Sequence, residues 1–364
     1  MTIPSLFRAA SLAVILFAGV PDARAAEPAP GAGPVILQVN PCLIANRTGK
    51  GAPCPEPAVS DSGDNLVRAE SHRQRALFFI DMQDFEKAAS ETDIALDLLP
   101  DWAEAHHLAA RIAAANADVP RAQKEIAAAL ALAPEDLDFR ATNAAILDWR
   151  APFEAFKEFN DIATKDPAHR YARGQRARLL VEFRHPDDAM MDLNFLLSGK
   201  QPAFDYLPLR AQANLMRGRP RDAVADYTTA LELNPGRVDL VTARAAAFEA
   251  AGDDEAALRD YDTLLGPVGA EKAPYAISGD QLGAPLMERA KILVRAKRFA
   301  DAATDMSAAI AQGGKRTVLK AQLFLRHNNF PEVPLDGRVS PELRTALQSC
   351  FALNACTQGV MRAN

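Results

Sequence analysis

Seven alanines, Ala88, Ala122, Ala155, Ala189, Ala223, Ala257 and Ala302, recur along the chain at intervals of 34, 33, 34, 34, 34 and 45 residues. A period of this length marks a stack of like supersecondary units, each burying its apolar face on its neighbours. The first copy shows the phrase: Phe85-Glu86-Lys87-Ala88, then Ala95-Leu96-Asp97-Leu98-Leu99-Pro100, an apolar stripe at helical spacing closed by a proline. Each alanine therefore sits on the second helix of a helix hairpin. Twelve residues upstream stands a second short residue: Ala76, Ala110, Asn143, Ala177, Ala211, Ala245 and Ala290. Helices approach closely only where side chains are short, so each matched pair marks the seam of a hairpin.

The phrase resembles the tetratricopeptide repeat family, with its 34-residue period and its small-residue, Tyr, Ala, Phe and Pro pattern. Ala211, Gly218, Ala223, Tyr227, Ala230 and Pro235 carry the resemblance in the fifth repeat, and Ala245, Phe248, Gly252, Ala257 and Tyr261 in the sixth. Pro100, Pro134, Pro167 and Pro235 close second helices, since a ring without an N–H cannot continue the ladder. The resemblance implies an all-α, right-handed superhelical solenoid of about seven hairpins plus C-terminal capping helices. The repeats fall at 69–102, 103–135, 136–169, 170–203, 204–237, 238–271 and 283–316, followed by a cap over 317–364. The third repeat departs through Asn143 and a missing residue, the fourth through His185-Pro186 and the lack of a closing proline. Both are expected to be bent or loosely packed. The 45-residue interval leaves an insertion near Lys272 to Leu282, expected as a surface loop because only the connection between hairpins lengthens without breaking a stack.

Ahead of the repeats, Arg8, the apolar run Ala9 to Val20 and Ala23-Arg24-Ala25 form the pattern of a secretory signal cleaved near Ala25. The run is too short for a membrane helix, which needs about 20 apolar residues. The expectation is an exported protein, periplasmic or secreted, with no transmembrane segment after cleavage. Without residues 1–25 the chain carries 39 basic and 46 acidic residues, a formal charge of −7 that argues against a nucleic-acid partner. All four cysteines lie outside the repeats, Cys42 and Cys54 in a Pro/Gly-rich leader over 26–68 and Cys350 and Cys356 in the cap. An even count in an exported chain points to disulfides. Of the three pairings, local closure favours Cys42 with Cys54 and Cys350 with Cys356.

Catalytic patterns are missing from the sequence. His106 and His107 are adjacent and diverge by about 100° on a helix, unlike an i, i+4 metal pair. Gly313-Gly314-Lys315 lacks the upstream glycine and the following Ser/Thr of a phosphate loop and reads as a helix stop. The expectation is a non-enzyme without cofactor or metal. In the tail, Ser340-Pro341-Glu342 is a helix start, with serine as cap and proline in the first turn, for a helix reaching about Phe351. The preceding Asp336-Gly337-Arg338-Val339 faintly resembles part of a peptidoglycan-binding repeat and supplies an alternative reading as a cell-wall-associated protein.

In the tetratricopeptide family the first helices of successive hairpins line a concave groove for peptides or extended protein segments. Taken in register with the seam residues, Arg73, His107, Arg111, Arg140 and Arg178 would form a cationic stripe along the first four repeats. Guanidinium groups hold carboxylates through paired hydrogen bonds, so the implied partner is a protein segment with acidic side chains or a free C-terminus. The competing expectation is that these arginines pair with acids of adjacent helices.

Overall fold

The computed structural model describes residues 55–352 apart from 149, 200–201 and 271–274. Cys42, Cys54 and Cys356, with the signal segment and the leader up to residue 54, therefore lie outside the described residues. No strand occurs among the described residues, and helix follows helix throughout. The seven repeats supply α1 (Asn65–Asp81) and α2 (Phe85–Leu98), α3 (Ala103–Ala115) and α4 (Val119–Leu132), α5 (Leu137–Leu147) and α6 (Pro152–Lys165), and α7 (Arg170–Glu182) and α8 (Pro186–Leu197). They continue with α9 (Leu207–Met216) and α10 (Pro220–Leu233), α11 (Val238–Ala251) and α12 (Asp254–Leu265), and α13 (Asp280–Arg295) and α14 (Phe299–Gln312). The cap contributes α15 (Lys315–His327) and α16 (Pro341–Ala352). The chain divides into two compact bodies, one reaching Phe183 and including Met191–Ala203, the other Arg184–Met190 with everything from Phe204.

Local sequence explains the helix boundaries. Asp84, Asp118 and Asp253 accept the amides of Lys87, Arg121 and Ala256 as N-caps of second helices. Pro152 and Pro220 open others, where a missing N–H costs nothing. Second helices end two residues ahead of Pro100, Pro134, Pro167 and Pro235, as the prolines require. Between the two helices of a repeat, one residue takes left-handed backbone: Gln83 (φ 59°), Ala117 (59°), Arg184 (69°), Gly218 (69°), Gly252 (85°) and Lys297 (59°). Around it the Asp84 amide donates to the Phe79 carbonyl and the Gln83 amide to that of Ile80, the paired closure of a helix C-terminus in this geometry. Only two of the six are glycine.

The third repeat is the exception, and it corrects the sequence reading. Among the described residues none between α5 and α6 is left-handed, and α5 has 11 residues. The missing residue therefore falls in this turn. Counted from the start of α5, as in α3 and α7, the seam residue is Ala144, which is 1% exposed, and Asn143 is rotated outward to a half-buried position. All seven seam positions are then alanine, and each is buried. The repeat is not loosely packed: Ala141, Ala144, Ala155, Phe159, Ile162, Tyr171 and Ala172 form one continuous core with Ile126 and Phe139.

The described part of the insertion, 275–279, is irregular, and it ends earlier than expected because Asp280 to Leu282 belong to the first turn of α13. Asp280 accepts hydrogen bonds from the Thr317 amide at 2.9 Å and hydroxyl at 2.7 Å, so the first turn of α13 caps α15. Gly313-Gly314 stops α14, and a Cβ on Gly313 would lie 2.3 Å from the Ala309 carbonyl, so only glycine fits there. Ser340 accepts the Leu343 amide at 3.2 Å, and α16 packs on α14 and α15 with Leu343, Ala346, Leu347, Cys350 and Phe351 buried.

Candidate functional site

A pairing of an acid with a basic side chain repeats in every hairpin. Three residues after each second-helix alanine stands an acid: Glu91, Glu125, Glu158, Asp192, Asp226, Asp260 and Asp305. A basic side chain of the first helix answers it from one or four residues ahead of the seam alanine. Arg75, Arg176, Arg210, Arg244 and Arg289 come from the nearer position, at 2.6 to 2.9 Å. His72, His106, Arg140 and Arg173 come from the farther one, at 2.6 to 2.8 Å. Most of these acids are buried, and Asp192 accepts from Arg173 Nη1 and from Arg176 Nε and Nη2 together. A buried carboxylate in this setting requires its partner. The signal was open to sequence reading, as an acid in constant register with every alanine.

This seam claims one candidate groove residue. Arg140 belongs to the farther register position, equivalent to Arg173, once Ala144 replaces Asn143 as the seam residue. Its Nε donates to Glu158 at 2.6 Å and its Nη2 to Asp161 at 2.7 Å, both on α6. The Glu158 bond foremost raises its pKa. Arg140 therefore leaves the cationic stripe.

His107 leaves it for a different reason. Its Nε2 lies 2.7 Å from the Thr142 hydroxyl and its ring 4.7 Å from that of Phe139. Desolvation first, and the positive charge of Arg111 second, lower its pKa to about 3, so the ring is neutral at physiological pH. Arg73 is held in a forked pair by Glu70 of its own helix, at 2.8 and 2.9 Å, with its guanidinium 5.9 Å from the Trp102 ring. Arg178 bonds Asp148 and, through Nε at 3.1 Å, the side-chain Oε1 of Gln175, with Glu182 at 3.3 Å. Arg111 lies within electrostatic reach of His107 and Asp138. Pairing with neighbouring acids thus describes Arg73, Arg140 and Arg178 as they stand. Arg73, His107, Arg111 and Arg178 remain half-buried on the first-helix face of the first body, while Ile80, Ala114, Gly174 and Val181, three residues before or four after a seam alanine, are buried.

In the second body an open pocket of mixed polar and apolar lining lies where α10 meets the α11–α12 turn, with Arg221, Val224, Phe248, Asp253 and Glu255 among its residues. The Asp336-Gly337-Arg338 turn is fastened to α15 by one buried side chain. Gln322 donates to the Asp336 carboxylate at 2.9 Å and to the Arg338 carbonyl at 3.0 Å, and it accepts the Gly337 amide at 2.9 Å. These bonds give the turn a structural role. Among the described residues, no helix is long and apolar enough to cross a membrane.

No protein-family model and no curated protein matches the chain. Solved structures do. The human IFIT1 dimer with m7Gppp-AAAA is similar at a TM-score of 0.52 and 14% identity, over 86% of this chain and 72% of that one. A tetratricopeptide repeat protein from Parabacteroides merdae ATCC 43184 gives 0.43 at 18% identity, over 66% and 91%. PilW, a type IV pilus biogenesis factor, gives 0.47 at 21% identity, over 54% and 91%. At these identities the likeness is one of fold alone, an all-α helical repeat, and the 34-residue hairpin with its alanine seam makes it tetratricopeptide-like.

Proposed function

We propose that this protein is a non-enzymatic interaction scaffold that takes an extended segment of a protein partner along the first-helix face of its first body. One observation carries the reading: with the seam closed by alanines and matched charges, half-buried polar side chains recur in register on that face, Arg73 on α1, His107 and Arg111 on α3 and Arg178 on α7. A strip of fixed, partly desolvated hydrogen-bonding groups along stacked helices suits an extended chain better than a compact substrate. Neutral His107 supplies hydrogen bonding without charge. An acidic side chain or C-terminal carboxylate on the partner would engage Arg111 and Arg178, taking the place of intramolecular acids such as Glu182 at 3.3 Å. The leader pattern adds that the scaffold is exported, with its cysteines paired outside the repeats. A tail that touches the cell wall is the second reading, and the fastening of the Asp336 turn by Gln322 leaves it without separate support.

The test is site-specific photo-crosslinking in cells of origin, with the reactive residue at Arg111 or Arg178 and, for comparison, at exposed Glu86 or Lys124 on second helices. Capture of the same partner from both first-helix positions, and from neither second-helix position, supports the reading. Equal capture from all four defeats it.

A further inference from the structure

We infer that the C-terminal cap is a docking surface for an anionic lipid bilayer. Residues 315–352 carry six Lys and Arg against three acids, in a chain whose formal charge is −6. On α15 the buried side is Thr317, Val318, Ala321, Gln322, Phe324 and Leu325. Opposite, Arg316, Lys320, Leu323 and His327 follow at spacings of four, three and four, a single exposed helical stripe that contains no acid. The turn tied down by Gln322 runs along the neighbouring side of the helix, where Gly337 meets Lys315 and Leu319, and it adds exposed Arg338 between exposed Leu335 and Val339.

Two contrasts within the second body support this. Its inner arginines, Arg210, Arg244, Arg289 and Arg295, are all ion-paired. Arg316, Lys320 and Arg338 form no ion pair among the described residues; Arg316 comes within electrostatic reach of Asp280 and Arg338 of Asp336. Secondly, Leu323, Leu335 and Val339 are 44%, 43% and 42% exposed among these cations. An acidic peptide or a phosphate backbone would answer the charges and leave the apolar groups in water. The interfacial zone of a bilayer accepts both, with cations at the headgroups and leucines at the acyl boundary. Asp280 and Gln322 hold α15 and the turn rigid, so the surface is formed before it meets the membrane.

The test is co-sedimentation of the mature full-length chain with vesicles of 30% phosphatidylglycerol in phosphatidylcholine, and with phosphatidylcholine alone. The expected result is binding to the first only, lost between 50 and 500 mM NaCl. Each cation near such a surface contributes about fivefold, so the triple variant Arg316→Gln, Lys320→Gln, Arg338→Gln should bind on the order of 100-fold more weakly. Leu323→Ser with Leu335→Ser, at constant charge, should weaken binding by roughly tenfold. These side chains are exposed, and circular dichroism checks that each variant stays folded. Failure of the wild type to bind anionic vesicles, or undiminished binding by either variant, overturns the inference. So does capture by polyglutamate beads in place of vesicles, which would assign the surface to an acidic protein. The groove does not enter this experiment, so its outcome is independent of the scaffold reading.

Discussion

Replacing Arg289 by methionine would remove a cation whose side chain is 2% exposed and which answers an acid, Asp305, that is 1% exposed. Arg289 donates from Nε and Nη2 to the two oxygens of Asp305 at 2.7 and 2.8 Å, and from Nη1 to Asp262 at 2.7 Å and the Gly266 carbonyl at 2.5 Å. Methionine fills most of the volume but leaves the Asp305 carboxylate buried and unanswered. Breaking a buried pair from one side costs about 3–5 kcal/mol, whereas replacing both members by apolar groups is often neutral. Arg289→Met should therefore lose about 3–5 kcal/mol in urea unfolding followed by circular dichroism, and Arg289→Met with Asp305→Leu should recover most of it. Arg298→Met, which opens the half-exposed pair with Asp301, serves as the comparison and should cost under about 1 kcal/mol. The pH dependence follows with a definite sign. Desolvation already raises the Asp305 pKa despite the opposing pull of Arg289, and loss of that pull raises it further. A carboxyl with a raised folded-state pKa is favourable below its unfolded value, and the variant must weaken as pH climbs from there through the folded value. A loss under about 1 kcal/mol, or a double variant no better than the single one, would refute the argument that the seam charges depend on each other.

Two further outcomes follow. Ala117 holds φ 59° without the freedom of glycine, so Ala117→Gly should gain on the order of 1 kcal/mol. Gly218, with φ 69° and open space where a Cβ would go, should lose about as much on change to alanine, read as shifts of the urea midpoint. His107, with its pKa lowered to about 3, supports folding fully above about pH 6.5, where the unfolded ring is also neutral. Stability should fall as pH drops from there, at a limiting slope of about 1.4 kcal/mol per unit, and His107→Gln should flatten that part of the profile. A profile unchanged by the substitution would show that the ring is not desolvated.

The hairpins, their closing prolines and the capping helix were legible because periodicity and helix-stop chemistry are local properties of the chain. The third repeat was misread by one residue because a 33-residue interval does not say where the deletion lies. Counting twelve back from Ala155 reached Asn143, while the fold removes the residue from the α5–α6 turn and seats Ala144 at the seam. That single step moves Arg140, on α5, from the expected groove to a pairing with Glu158 and Asp161 of α6. Arg73 and Arg178 stood at suitable helical positions, but long flexible side chains turn toward whatever acid is near, which register alone does not reveal. The seam pairing is not obvious in the sequence because its basic member alternates between two positions a helical turn apart and is histidine alone in the second repeat.

That seam bears on how such an array changes length. Since every seam acid finds its basic partner within its own pair of helices, a whole repeat can be copied or deleted without orphaning a buried acid. Lineages carrying this arrangement are free to vary their reach while the stability of each remaining module stays nearly constant, and a graft of one such hairpin into another array should bring its own electrostatic closure with it.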